Sequence, residues 1–323
     1  MENGQVKKKF LDSNYAYFLI GFTIGMLILI IYGTYKTNKD SKSKNNNDSA
    51  AIRKVVLPEI PDSLNFAGEP VPMYNFEVKE RIEREFLVNT YWYASTILAL
   101  KRANRWFPVI EPILRKYNIP DDFKYVPVVE SNLTNAASSA GAIGYWQFTK
   151  DVARKFGLEV NNQVDERYNV KKSTEAACKY FIAADSEFNN WTLAAAAFNM
   201  GSNGLKDQLE KQKAKNYYNL VLSDETSRYI PRIIAMKEIL THPEEYGYYL
   251  KHDELYMPLK TFDVEVNSSV KNWADFAFSQ GINYKILKFY NPWLRDTFLK
   301  NKRNKTYTIE IPEKGSIKIV KEE

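Results

Sequence analysis

The sequence predicts a mainly α-helical protein with one apolar segment near its N-terminus and a small α+β module at its C-terminus. Three observations support this prediction. Apolar residues recur at helical spacing over much of the middle of the chain. Residues 15–35 contain no charged side chain. After Pro258, two segments of alternating, strand-like pattern, 261–266 and 306–312, enclose two short helical ones.

Residues 15–35 are long enough to form a transmembrane helix, since about 20 helical residues span the hydrocarbon core of a bilayer. Tyrosines lie near both ends, as in interfacial aromatic belts. The alternative is a cleaved signal peptide, but residues 34–37 do not resemble a small-residue cleavage site. We therefore predict a tail over residues 1–14 and a retained single-pass anchor over 15–35. Lysines flank the anchor almost equally, so they do not set its orientation.

The next part of the chain is predicted to be a tether, over residues 36–75. Residues 39–49 are polar and low in complexity, a composition typical of disorder. Four prolines then stiffen the approach to the folded part: Pro58, Pro61, Pro70 and Pro72.

Five further parts follow the tether. We expect N-terminal helices over residues 76–119, packed on a main helical domain over 120–245. A connector over 246–261 leads to the α+β module over 262–313 and a tail over 314–323. In the first of these parts the periodicity predicts one long helix over 78–103 and a shorter one over 107–117.

Composition excludes several kinds of function. The net charge of +6 comes from thinly spread basic residues, and the clusters at Lys7–Lys9 and Lys300–Lys305 contain no aromatic residues, so we expect no nucleic-acid partner. Cys178 is the one cysteine, which rules out an intramolecular disulfide. His242 and His252 lack the spacing of metal ligands. We expect neither a metal nor a cofactor.

Glu130 is a candidate general acid. It is the one acidic side chain of an apolar stretch, and a loop of small residues, 140–144, follows it. Burial among valines disfavours the charged carboxylate and raises its pKa, as proton donation at neutral pH requires. Trp146 and Gln147 lie just beyond the loop, and an apolar ring face beside an amide suits a pyranose. The alternative is a solvated or capping glutamate with no chemical role.

Four segments carry a family resemblance. They are Glu130-Ser131, Gly-Ala-Ile-Gly-Tyr-Trp-Gln-Phe at 141–148, Ala-Phe-Asn-Met-Gly at 197–201 and Glu-Thr-Ser-Arg-Tyr-Ile-Pro at 225–231. In this order they resemble the motifs of lytic transglycosylases with a goose-type-lysozyme-like (SLT) domain, in particular the membrane-bound D type. The resemblance covers about residues 76–245 and implies a lysozyme-like helical fold. Any one segment is weak evidence for the family, whereas the occurrence of all four in this order is specific for it.

The resemblance implies roles for the matched residues. Glu130 acts as the acid and then as the base, and Ser131 orients groups near the cleaved bond. Gln147 and Asn199 hydrogen-bond the sugar chain, and Tyr229 lies near the carboxyl group.

The aromatic residues of the motifs partly depart from the family. Tyr145 and Trp146 are expected to line the groove, although Tyr145 replaces the commoner leucine. Phe198 replaces the usual tyrosine, which removes a hydroxyl.

The implied substrate is peptidoglycan, cleaved between N-acetylmuramic acid and N-acetylglucosamine with formation of 1,6-anhydro ends. Ordinary glycosidases use two carboxylates. No partner lies near Glu130 in sequence, although Asp151, Asp165 and Glu225 could approach it in space. A hydrolysing muramidase or chitinase and a non-catalytic glycan-binding protein remain the alternatives. The substrate places residues 36–323 on the periplasmic side of a bacterial inner membrane.

The C-terminal module resembles a degenerate LysM module through Asn291-Pro292-Trp293-Leu294. The resemblance implies glycan contacts by Asn291 and Trp293. The alternative is a small stabilising subdomain that binds nothing, with Trp293 in its core.

Overall fold

The computed structural model of the protein describes residues 24–36 and 56–317. The chain divides into two compact units, residues 1–56 and 57–323. In the first unit, residues 24–36 are helical. Within these two described ranges, no helix combines the length and the apolar character needed to cross a membrane.

Several parts predicted from the sequence lie outside the described residues. These are the tail over 1–14, residues 15–23 of the anchor, residues 37–55 of the tether and residues 318–323 of the C-terminal tail.

The second unit is mainly helical, which confirms the predicted class. A hairpin of β1 (Asn65–Phe66) and β2 (Glu69–Pro70) precedes the helices. The helices are α1 (Phe76–Tyr91), α2 (Tyr93–Lys116), α3 (Val126–Ser131), α4 (Lys150–Lys155), α5 (Val170–Phe188), α6 (Trp191–Met200), α7 (Ser202–Gln212) and α8 (Asp224–Thr241). The C-terminal module consists of β3 (Thr261–Val266), α9 (Trp273–Ser279), α10 (Tyr284–Tyr290) and β4 (Tyr307–Pro312).

Residues 57–75 do not belong to a tether, contrary to the prediction over 36–75. Leu64 and Phe66 are buried against the helices, and the Phe66 ring lies 5.1 Å from that of Phe123. Ala67 and Gly68 both have positive φ angles (53° and 80°), the conformation of a two-residue hairpin turn. The apolar side chains between the prolines therefore anchor this segment.

The hairpin also caps a helix. Both carboxylate oxygens of Glu69 accept backbone N–H groups at the start of α6, from Trp191 at 2.7 Å and from Thr192 at 2.9 Å. A carboxylate at a helix N-terminus satisfies otherwise unpaired donors and interacts favourably with the helix dipole. The hairpin thus holds the helix that carries Asn199.

The predicted division of residues 76–119 into a helix over 78–103 and another over 107–117 is wrong. The chain leaves helical conformation at Trp92 (φ −83°, ψ 58°), and α2 then runs unbroken through Pro108 and Pro112. The prolines each cost a backbone hydrogen bond. Burial of Ile110 and Leu114, both with no exposed area, offsets that cost.

The C-terminal module has the predicted strand–helix–helix–strand order. β3 and β4 pair antiparallel, from Thr261 opposite Pro312 to Val266 opposite Tyr307. The module's core includes Val164, a residue of the helical part that is fully buried. The module is therefore packed on the helical part of the same unit.

Candidate active site

Glu130 lies in the last turn of α3, a short helix whose Val126 and Val128 are buried. The helix ends at Asn132 in left-handed conformation (φ 51°). Asn132 is held by α2, because its side-chain amide donates to the backbone carbonyl of Ser95 at 3.1 Å and its own carbonyl accepts from Arg102 at 3.1 Å. These bonds fix the end of the helix that presents Glu130.

Tyr229 of α8 donates its hydroxyl to the Glu130 carboxylate at 2.5 Å. Burial raises the pKa of Glu130 to about 7 from an ordinary value of 4.5, and the negative charge of Glu225 adds to the rise. The Tyr229 hydrogen bond and the positive charge of Arg232 act in the opposite direction on this pKa. Glu130 is therefore poised to exchange a proton near neutral pH.

A buried carboxylate that the sequence analysis missed holds Arg232 in place. Glu85 of α1 has no exposed area and accepts from three arginines. The distances are 2.6 Å to Arg84, 2.7 Å to Arg228 and 3.3 Å to Arg232. The network ties α1 to α8 and fixes the arginine whose charge acts on Glu130. The alternation of acidic and basic residues over 79–85 gave no sign that one of them was buried.

Ser131 connects α3 to the following loop. Its hydroxyl lies 3.0 Å from the carbonyl oxygen of Pro127 and 2.8 Å from that of Tyr145. The geometry therefore gives Ser131 a part in positioning the loop beside Glu130. Its predicted role in orienting substrate stays a prediction.

Gln147 has a positive φ angle of 50° and turns its side chain back onto the loop. Its amide nitrogen donates to the carbonyls of Ala136 (3.1 Å) and Gly144 (2.7 Å). No protein hydrogen bond of the described residues occupies the amide oxygen, which leaves it as an acceptor. Gly144 is required here, because a Cβ at this position would lie 2.0 Å from the carbonyl oxygen of Arg167.

Asn199 lies near the end of α6, partly exposed. Its amide oxygen accepts from the Thr226 hydroxyl at 2.9 Å, which orients the side chain from α8. Within the described part of the chain its amide nitrogen has no hydrogen-bond acceptor, so it offers a donor. Gln147 and Asn199 therefore present an acceptor and a donor.

The prediction that Trp146 offers its ring face to a sugar is wrong. Its side chain has no exposed area, and its indole N–H donates to the Thr174 hydroxyl at 2.9 Å. The ring packs edge-on against Phe181 and Phe198 in the core. Phe198, in place of the family's tyrosine, is thus part of an aromatic cluster. Tyr145 is also buried, with its ring 5.1 Å from that of Trp106.

The three carboxylates considered as partners of Glu130 differ in their surroundings. Asp165 is buried and bound by Arg167 through two hydrogen bonds, at 2.7 and 2.9 Å. Asp151 is exposed in the first turn of α4. Glu225 is exposed, and its charge raises the pKa of Glu130.

The predicted glycan contact of Asn291 is wrong, and that of Trp293 stays a prediction. Asn291 is fully buried and holds β4, because its amide donates to the Glu310 carbonyl at 2.7 Å and accepts from the Glu310 N–H at 2.9 Å. Trp293 is 4% exposed and stacks on Tyr307 with a centroid distance of 6.0 Å. Both side chains belong to the module's interior, in agreement with the alternative of a stabilising subdomain.

Two family models match the chain. The model described as transglycosylase SLT domain matches residues 108–221, which include Glu130, Gln147 and Asn199. The chain contains a transglycosylase SLT domain. The model described as soluble lytic transglycosylase C-terminal LysM-like domain matches residues 262–315, and the SLT domain is therefore followed by a LysM-like domain.

The chain is homologous to membrane-bound lytic murein transglycosylase D. The proteins of that name from Escherichia coli K12 and from E. coli O6:H1 are each 27% identical over 243 residues, which cover 72% of this chain and 52% of the relative. A putative tributyltin chloride resistance protein from Alteromonas sp. (strain M-1) is 30% identical over 118 residues, covering 36% of this chain and 55% of that protein. The chain thus spans about half the length of these relatives.

Among solved structures, an inactive mutant of the lytic transglycosylase Slt from Pseudomonas aeruginosa matches with a TM-score of 0.37 and 19% identity. The match covers 47% of this chain and 26% of that one.

Proposed function

We propose that the protein is a peptidoglycan lytic transglycosylase that uses Glu130 as its single acid and base. The substrate is the β-1,4 bond between N-acetylmuramic acid and N-acetylglucosamine, and the product carries a 1,6-anhydro end. The observation that carries this proposal is the Glu130 carboxyl group, with a pKa raised to about 7 by burial and a 2.5 Å hydrogen bond from Tyr229. The SLT domain over residues 108–221 supports it.

The reaction needs two proton transfers at one carboxyl group. Glu130 donates its proton to the glycosidic oxygen as the bond from that oxygen to C1 of the muramoyl residue breaks. The carboxylate then accepts the proton of the muramoyl C6 hydroxyl as its oxygen bonds to C1. Glu130 ends protonated, and no water is consumed. Attack within one sugar residue has a high effective molarity, which makes a protein nucleophile unnecessary.

The surroundings of Glu130 suit both transfers. Burial keeps the proton on the carboxyl group at the start, and the Tyr229 hydroxyl stabilises the carboxylate that forms after the first transfer. Asp165, a candidate second carboxylate, is occupied by Arg167. A one-carboxyl mechanism fits this arrangement. We assign the amide oxygen of Gln147 and the amide nitrogen of Asn199 to hydroxyl and acetamide groups of the glycan.

Mass spectrometry of purified sacculi digested by the protein tests the proposal. We expect fragments that end in 1,6-anhydro-muramoyl residues, which are lighter by one water than reducing ends. Glu130→Gln should lower the release of fragments by at least about a hundredfold, the usual contribution of general acid catalysis. Reducing ends would identify a hydrolysing muramidase instead. Retention on sacculi without release, in wild type and variant alike, would identify a glycan-binding protein.

We further propose that residues 15–35 anchor the protein in a bacterial inner membrane with the second unit on the periplasmic side. The support is the absence of charge over this segment and the location of the substrate outside the cytoplasm. In spheroplasts, added protease should digest the second unit. Protection of that unit until the membrane is lysed would contradict both the topology and the access to peptidoglycan.

A further inference from the structure

We propose that a cleft between α2, the loop after Glu130 and the C-terminal module binds a carboxylate-bearing peptide. The cleft has a volume of about 320 Å³ and is separate from the hydrogen-bonded pair of Glu130 and Tyr229. The inference rests on the proposed function, because the muramic acid residues of peptidoglycan carry peptides with free carboxylates.

Two arginines without carboxylate partners lie at this cleft. Arg102 and Arg105 are three residues apart on α2, a spacing that places like charges on one helix face and makes them repel. Each uses one nitrogen on a backbone carbonyl: Arg102 donates to Asn132 at 3.1 Å, and Arg105 to Met257 at 3.0 Å. Neither forms an ion pair within the described ranges of the chain. Each guanidinium keeps further N–H donors, and a guanidinium can bind a carboxylate through two parallel hydrogen bonds.

The opposite wall of the cleft does not neutralise these charges. Its carboxylate, Glu310, forms an ion pair with Lys171. A third cation of the lining, Lys288, donates to the backbone carbonyl of Asp296 at 2.9 Å and to that of Leu294. The lining therefore carries three cationic side chains against one paired carboxylate, which favours an anionic ligand.

Apolar side chains add a second kind of recognition. A peptide carries both a carboxylate and aliphatic groups, whereas an inorganic anion supplies the charge alone. The rings of Trp106, Tyr168 and Tyr256 give the cleft apolar walls for the aliphatic parts of a peptide.

The cleft is lined by the loop that follows the candidate acid, Glu130. Tyr145, one of its walls, accepts through its carbonyl from the Ser131 hydroxyl at 2.8 Å. Leu133, Thr134 and Asn135, which follow Glu130 within five residues, also line it. A peptide attached to a sugar bound beside Glu130 would therefore meet this cleft along the loop that follows Glu130.

Isothermal titration calorimetry with the full chain tests the inference. The probes are a soluble N-acetylglucosaminyl-muramoyl disaccharide with a four-residue peptide and the same disaccharide after removal of the peptide. Wild type should bind the peptide-bearing probe more tightly. Arg105→Gln should reduce the ratio of the two affinities about tenfold, as expected for the loss of a hydrogen bond between charged groups. Arg115→Gln, which removes an exposed arginine from the same helix, should leave the ratio unchanged.

A second variant guards against misfolding. Asn135→Asp places a negative charge in the cleft and should reduce the same ratio at least as much, with melting temperatures recorded for all variants. No preference of wild type for the peptide-bearing probe, or equal loss for both probes in Arg105→Gln, would overturn the inference. If the preference is present but sacculi are never cleaved, the proposed function fails and the cleft assignment stands.

Discussion

At the scale of single residues, the proton of Glu130 is controlled by few contacts. Burial and the charge of Glu225 favour the protonated form, and Tyr229 and Arg232 favour the carboxylate. The pKa of Glu130 lies near 7 because burial, which has the largest effect on it, is only partly offset by Tyr229 and Arg232. Removing one contact at a time should therefore move the titration in a known direction.

Tyr229→Phe should raise the pKa of Glu130 further, because it removes the hydroxyl that stabilises the carboxylate. The step in which Glu130 acts as a base depends on that carboxylate, so we expect cleavage to slow by about tenfold or more. The high-pH side of the pH–rate profile should move to higher pH.

The pH–rate profiles of wild type and of Tyr229→Phe measure this shift and the change in cleavage rate. Tyr125→Phe is the matched control, since it removes a hydroxyl that bonds to Thr241, away from Glu130. A profile of Tyr229→Phe that coincides with that of wild type would contradict the assigned role.

Glu130→Gln should stabilise the folded protein at high pH. The folded-state pKa of about 7 lies above the ordinary 4.5, so the folded protein retains a proton that the unfolded chain releases between these values. The free energy of unfolding therefore falls as pH rises through this window, by on the order of 3 kcal/mol at most. Glutamine is uncharged and avoids the loss.

Urea unfolding at pH 4 and pH 8 tests this expectation. The variant should match wild type at pH 4 and exceed it at pH 8. Glu83→Gln, at an exposed site, should differ from wild type in its free energy of unfolding by the same amount at pH 4 and at pH 8. Equal stability of Glu130→Gln and wild type at pH 8 would mean that the carboxylate is well solvated in the fold.

The sequence indicated Glu130, Gln147, Asn199 and Tyr229 as one group because their motifs occur in a specific order. It did not reveal that Trp146 is buried. The partner of its indole N–H, Thr174, is 28 residues away, and sequence near the loop cannot show which side of it the ring occupies. An aromatic residue next to glycines is compatible with a groove and with a core.

At the scale of secondary structure, the elements that were missed share a cause, which is that distant contacts decide them. The β1–β2 hairpin lies in a proline-rich stretch, and the burial of Phe66 against Phe123 is what orders it. Two nearby glycines also have different roles, since Gly201 ends α6 whereas Gly204 lies inside α7.

Glu85→Ala should destabilise the protein because Glu85 joins α1 to α8. Its removal leaves Arg84, Arg228 and Arg232 without their shared carboxylate. Breaking a buried ion pair typically costs about 3–5 kcal/mol, and the partial exposure of these arginines places the expected loss near the lower end.

Denaturant unfolding measures the loss, with Glu83→Ala as the exposed control on the same helix. If Glu85→Ala loses no more free energy of unfolding than this control, the network of Glu85 and the three arginines makes no net contribution to stability. The variant should also raise the pKa of Glu130 if Arg232 moves away, because the positive charge of Arg232 lowers it.

At the scale of the whole second unit, the helical part and the C-terminal module share buried structure. Val164 lies in the module's core, and the backbone N–H of Asp165 donates to the carbonyl of Trp293 at 2.9 Å. Lys305 of the module forms ion pairs with Glu159 and Glu166. The strand–helix–helix–strand order of the module was predictable from alternation, whereas this interface was not, since no local pattern distinguishes Val164 from other apolar residues.

Deleting residues 262–317 should therefore lower the melting temperature of what remains, because Val164 becomes exposed and Gln163 and Asp165 lose their backbone partners in the module. Cleavage of whole sacculi and of short soluble glycans carrying the same peptides should fall together. Phe278→Ser, at a side chain that is 84% exposed on the module, should change neither property.

A module that served to hold the polymer would instead raise the effective concentration of glycan at the helical part. Its loss would then leave the cleavage of short glycans and the melting temperature unchanged. Calorimetry and the ratio of the two cleavage rates distinguish these outcomes. The burial of Asn291 and Trp293 favours a module that stabilises the helical part.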